Sequence, residues 1–106
     1  MAGRNNNEND WLTMKKASGQ DLWFHTKDIP GSHVILFLEG GEPTEEELFE
    51  TAAIAAYHSK FSSSGNVPVD YTKVRYVKKP SGSKPGFVIF THNRTLYVDP
   101  AIPNKS

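Results

Sequence analysis

From Asp21 to Lys27 the chain alternates: Leu22, Phe24 and Thr26 fall on one face, Asp21, Trp23, His25 and Lys27 on the other, the period of a half-buried β-strand. Ser32 to Leu38 is a β-branched and apolar run that predicts its partner. Asp28-Ile29-Pro30-Gly31 between them has turn chemistry, with proline pre-setting φ and glycine accepting a positive one. A hairpin centred on Ile29 sets His25 opposite His33 on one face, about 5 Å apart at Cβ.

The period then changes. Gly40-Gly41-Glu42-Pro43 breaks the strand pattern, and Thr44-Glu45-Glu46-Glu47 has the spacing of a capping box that opens a helix to about Lys60. Leu48, Ala52, Ala55, Ala56 and Ser59 form its buried stripe, with alanines small enough for close approach to a sheet. The acidic first turn, and His58 and Lys60 in the last, suit the helix dipole. Beyond the Ser62–Asn66 loop, alternation from Tyr71 to Lys79 predicts a strand with cations on one face, and the Lys79–Gly86 stretch is a loop. Phe87–Thr91 and Thr95–Val98 read as a final hairpin turned by His92-Asn93-Arg94. Residues 3–10 are Asn-rich and read as a loop, followed by one or two helical turns over Trp11–Ala17 capped by Asn9 or Asp10. No internal repeat is visible. Residues 1–106 are expected to form one α+β domain, mainly antiparallel sheet with one main helix packed on one face.

Composition narrows the function classes. A chain of 106 residues can bury one core without a staple, and it has no cysteine for a disulfide or a zinc ribbon. The longest apolar run, Val34–Leu38, is far below the ~20 residues of a membrane-spanning helix, so no membrane partner is expected. The net charge is zero, but residues 1–57 carry 4 Lys/Arg against 10 Asp/Glu and residues 58–106 carry 8 against 2. A basic face is therefore compatible with a neutral whole. The chain opens directly on turn chemistry, Gly3-Arg4-Asn5-Asn6-Asn7, with no element before it, which predicts a piece of a larger protein.

Asp21, His25, Asp28 and His33 concentrate the residue types of acid–base and metal chemistry. Catalytic zinc usually takes three protein ligands, and no third stands at a recognisable spacing. The plainer reading has the histidines bonded within the sheet and Asp28 in its turn. No cofactor is implied, and no nucleophile elbow, dinucleotide fingerprint or P-loop supports an enzyme. Trp23 and His25 could instead stack on bases, with the N–H groups of Gly31 and Ser32 meeting phosphate, unless the indole is simply core. Lys73, Arg75, Lys78, Lys79 and Lys84, interleaved with Tyr71 and Tyr76, are the cations a phosphate backbone needs, against the alternative of a merely solvated strand.

Three stretches carry a family resemblance: Gly3-Arg4-Asn5-Asn6-Asn7-Glu8-Asn9-Asp10 with Leu12-Thr13; Asp21-Leu22-Trp23-Phe24-His25 through Pro30-Gly31-Ser32-His33-Val34; and Val74–Lys79 with Lys84-Pro85-Gly86. They span nearly the whole chain, which resembles the NFACT-R domain, also called the fibronectin-binding protein A C-terminal region, of the RqcH/NEMF family of ribosome quality-control factors. The resemblance implies a cytoplasmic, non-catalytic RNA-binding module of a multidomain protein. It implies tRNA and the large ribosomal subunit as partners, in factors that bind obstructed subunits and tail stalled peptides at the C-terminus. It offers Arg4, Asn5, Asn9, Asp21, Trp23, His25, His33, Lys78, Lys79 and Lys84 as candidate RNA contacts. The family's older name implies the alternative of a fibronectin-binding adhesion module, with cell-surface association.

Overall fold

A computed structural model describes residues 1–29 and 31–101. Its strands are β1 (Leu22–Thr26), β2 (Val34–Leu36), β3 (Val67–Lys73), β4 (Val77–Lys78), β5 (Ile89–Phe90) and β6 (Arg94–Val98). Its helices are α1 (Asn6–Trp11), continued by a π-helical segment Leu12–Lys16, and α2 (Glu45–Tyr57). β2, β1, β3 and β6 pair in that order as an antiparallel sheet, and β4 and β5 form a separate two-stranded ribbon. This is the expected α+β architecture.

The β1–β2 hairpin has the expected register. Phe24 faces Val34 and Trp23 faces Ile35, so one more step sets His25 against His33. Pro30, in the turn expected from the sequence, lies outside the described residues. β1 is buried on both faces rather than one. Leu22 and Phe24 pack with Val34, Val67, Val69 and Val98 under Ala52, Ala55 and Ala56 of α2. Trp23 and Ile35 pack on the opposite face with Leu12, Val74 and Val77. Phe24, 0% exposed, contributes about 1.5–3 kcal/mol by burial.

α2 forms as its capping box dictates: the Thr44 hydroxyl accepts from Glu47 N–H and the Glu47 carboxylate accepts from Thr44 N–H. It stops at Tyr57 with His58 as its cap, so neither His58 nor Lys60 lies in the last turn. The first helix starts earlier than expected, within the stretch read as a loop. Asn5 caps it by accepting from Glu8 N–H, and the Glu8 carboxylate accepts from the N–H of Arg4, the residue before the cap.

The run Tyr71–Lys79 is not one strand. Val74 and Arg75 donate their N–H groups to the carbonyls of Asp21 and Gly19, and a 3-10 turn, Val74–Tyr76, redirects the chain into β4. The final two strands do not pair with each other either. β5 joins β4 while β6 joins β3, with His92 at φ 59° in the crossing between them.

The chain's start is tied into the sheet. The Met1 amine donates to Ile35 O, Ile35 N–H donates to Met1 O and Gly3 N–H donates to His33 O. Asn9 then lies so close to Gly3 that any side chain at position 3 would collide with its amide. That amide oxygen accepts from the buried N–H of His33. Asn9→Ala should therefore lower stability by about 1–3 kcal/mol in urea unfolding, because it leaves that N–H unpaired.

Candidate nucleic-acid interface

His33 is fixed on three sides. Its Nε2–H donates to Gly86 O at 3.2 Å, its Nδ1 accepts from the Thr13 hydroxyl at 2.9 Å, and its backbone is held by Asn9. Burial, aided by the charge His25 would carry beside it, pushes its pKa down to about 4, so the ring is neutral and its one proton serves Gly86 O. His25, half-buried, bonds through Nδ1 to the Thr26 carbonyl, and burial also lowers its pKa. Trp23 is the centre of this group: His25 stacks parallel to it at 5.7 Å, His33 meets it edge-on at 5.5 Å, and Phe90 lies 4.7 Å away. At 1% exposure Trp23 is core, the second of the two alternatives that the sequence leaves open.

The Asp/His cluster divides by role. Asp21 accepts from the N–H groups of Ser18 and Leu38 and so knots two loops, while Asp28 sits exposed at φ 60° in the hairpin turn. Among the described residues no three His, Asp or Glu side chains gather as metal ligands.

Five of the sequence candidates do come together elsewhere. Arg4, Asn5, Asn9, Gly31 and Ser32 line a polar groove of about 310 Å³ with Asn6, His58, Ser59 and Lys60. The groove forms because the hairpin's end bridges to the end of α2, Gly31 to Ser59. Sequence reasoning missed Asn6, His58, Ser59 and Lys60 as site residues. Their signal was faint, since only the packing of the hairpin on the end of α2 brings positions 58–60 beside positions 4–6.

The basic segment is dispersed by the 3-10 turn. Lys73 turns to the α2 face, where it lines a cavity with Tyr71 and Arg94. Arg75 lies over the Tyr76 ring at 5.1 Å, and Tyr76 stacks on the exposed His92 at 4.1 Å. Lys78 is exposed on the ribbon and borders an open cavity with Lys15 and the Lys79–Ser83 loop. Lys79 instead folds inward, pairing with Asp10 at 3.2 Å and donating to the carbonyls of Lys84 and Phe87. That leaves Lys84's own side chain exposed on the loop. The groove and the ribbon are neighbours along α1, because Gly86 of the loop lies against Asn6 and donates its N–H to Asp10.

A small α+β module that exposes cations beside stacked aromatic and imidazole rings has the chemistry of a binding domain. Residues 1–91 match the model of the NFACT protein RNA binding domain, and the chain belongs to that family. It is 52% identical over 100 residues to the Rqc2 homolog RqcH of Bacillus subtilis, covering 94% of this chain and 17% of that protein. The Rqc2 homolog RqcH of Streptococcus suis is 45% identical over 100 residues, covering 94% and 18%. The chain thus spans under a fifth of the length of these relatives. The solved C-terminal structure of the fibronectin/fibrinogen-binding protein from Streptococcus suis superposes with a TM-score of 0.90 at 44% identity, covering 95% of this chain and 40% of that one.

The low proton affinity of His33 makes the fold acid-sensitive. An unfolded histidine takes its proton near pH 6.5 and the buried one only near 4, so stability is complete above about pH 6.5 and falls as the pH drops between the two values. The loss through this one group should reach about 3 kcal/mol. Denaturant unfolding followed from pH 7 to pH 4 should show it, and His33→Gln, less stable at pH 7, should give a curve flatter by that amount.

Proposed function

We propose that this chain is a non-catalytic RNA-binding module of a ribosome-associated quality-control factor. In the whole factor it would act in the cytoplasm on tRNA and obstructed large ribosomal subunits and support C-terminal tailing of stalled peptides. The observation that carries this reading is the match to the NFACT RNA binding domain over residues 1–91, and the RqcH relatives give it its setting. The placement of the candidates supports it in detail. Arg4, Asn5, Gly31, Ser32 and Lys60 offer a polar groove for phosphates, while Arg75, Lys78 and Lys84 offer exposed cations nearby. In this reading Asn9, Asp21, His33 and Lys79 are framework that holds the binding surface in shape, and Lys73 is a separate cation on the opposite side of the sheet. No described helix is long and apolar enough to cross a membrane.

A salt series tests the RNA reading. Binding of tRNA and of single-stranded RNA should weaken linearly in log K against log salt, and Arg75→Ala with Lys78→Ala should flatten the slope by about 0.7 for each phosphate the variant no longer neutralises. Absence of binding at low salt, or binding indifferent to salt, would sink it. The solved fibronectin/fibrinogen-binding neighbour favours a second reading, a protein-adhesion module. It requires affinity for fibronectin that survives nuclease treatment, and disappearance of that signal removes it.

A further inference from the structure

Between the π-helical segment Leu12–Lys16 and the loop that follows β4 lies an open cavity of about 620 Å³, lined by Met14, Lys15, Lys78, Lys79 and the Pro80–Ser83 turn. We infer that this cavity seats the phosphodiester backbone of an RNA strand, with Lys15 and Lys78 as its phosphate-binding cations. The inference rests on the RNA-binding reading, and it adds to the binding surface Lys15, a residue outside the sequence candidates.

Charge sets this cavity apart. Three lysines line it and, among the described residues, no carboxylate does. The cavity on the α2 side holds Glu42 beside Lys73 and Arg94, and the one next to Met1 holds Asp21 and Glu39 beside Lys16. In the polar groove, Arg4 is bound by Glu8 at 3.1 Å. Of the three lysines here, Lys79 is spent, since Asp10 neutralises it at 3.2 Å and the carbonyls of Lys84 and Phe87 take its protons. Lys15 and Lys78 are exposed, and neither forms an ion pair among the described residues. Two uncompensated ammonium groups on one cavity repel each other, and a polyanion both relieves that repulsion and sheds its own counterions on binding.

The local structure puts the two cations there. In the π-helical segment the Ala17 N–H donates to Leu12 O, five residues back, while Leu12 is buried in the core and Thr13 bonds to His33. Lys15 and Lys16 are left outside and part company. Lys15 faces the loop after β4, and Lys16 faces the side of Asp21 and Glu39. π-helical turns are rare and recur at functional sites. The facing wall is a β-turn in which the Ser83 N–H and hydroxyl both donate to Pro80 O, with Gly82 at φ 77° in the third position that calls for glycine. A side chain on Gly82 would meet nothing within 4 Å, so the tip of the turn stands clear for a long ligand. Met14 and Pro80, both half-buried, give the cavity an apolar wall beneath its cationic rim. That layering matches ribose carbons beneath phosphate oxygens.

The test compares two neighbours of equal charge. Lys15→Gln and Lys16→Gln each remove one exposed cation from the same segment, so a general loss of positive field weakens both alike. Binding of a single-stranded RNA oligomer is followed through a salt series, with urea unfolding midpoints confirming that both chains keep the wild-type fold. Lys15→Gln should weaken binding at low salt and flatten the log K against log salt slope by about 0.7, and adding Lys78→Gln should flatten it by about 0.7 more. Lys16→Gln should keep the wild-type affinity and slope. Poly-glutamate at matched charge should not displace the oligomer. Equal losses in the two single variants, or no change in Lys15→Gln, overturn the site and leave the RNA-binding reading standing on the salt dependence of the wild-type chain. Displacement by poly-glutamate that is lost in Lys15→Gln overturns the assignment to phosphodiester. If no RNA binds at low salt, both the site and the reading beneath it fall.

Discussion

The structure depends on keeping one imidazole neutral. His33 takes a hydrogen bond from Thr13 and gives one to Gly86, while its backbone N–H is held by Asn9, so a single residue of the hairpin fastens the first helix, its π-helical continuation and the loop before β5. A protonated ring would donate from both nitrogens and turn the Thr13 contact from acceptance into a clash of donors unless that hydroxyl reversed. The whole Trp23 side of the sheet is thereby organised around a group that resembles a catalytic residue in sequence and behaves as a keystone in the fold.

That inversion runs through the candidate site. Residues whose chemistry attracts attention in the sequence, Asp21, Asn9, Lys79 and Trp23, are consumed by internal bonds or burial. Less conspicuous ones, Asn6, His58, Lys60 and Phe87, are left facing solvent. Buried polar groups must be satisfied from within the protein, so a side chain rich in hydrogen-bonding capacity and placed inside is already spent. Exposure decides which polar residues remain for a partner.

Much of the fold was legible because its signals are local. The capping box of α2 is written within four residues, and the hairpin register follows from alternation and the Asp28–Gly31 turn. What escaped was set by distant contacts. The strand expected through Lys79 is broken because Val74 and Arg75 find acceptors at Asp21 and Gly19, more than fifty positions earlier, which no alternation reveals. β5 and β6 part company for the same reason, each drawn to a different strand. For the candidate site, the family resemblance named segments, and only packing could say which of their side chains face inward. The early start of α1 was the exception, a local signal in Asn5 and Glu8 hidden by an Asn-rich stretch that also suits a loop.

The polar groove has a further property that follows from its making. Its walls are drawn from positions 4–9, 31–32 and 58–60, and it abuts a loop at position 86 whose bond to Asp10 spans 76 residues. Contacts so distant along the chain carry a loop-closure cost that the local hairpin and helix do not. A nascent or partly opened chain could therefore hold its hairpin and its long helix and still present no surface to a partner. The groove takes its shape only once segments far apart in the chain have met.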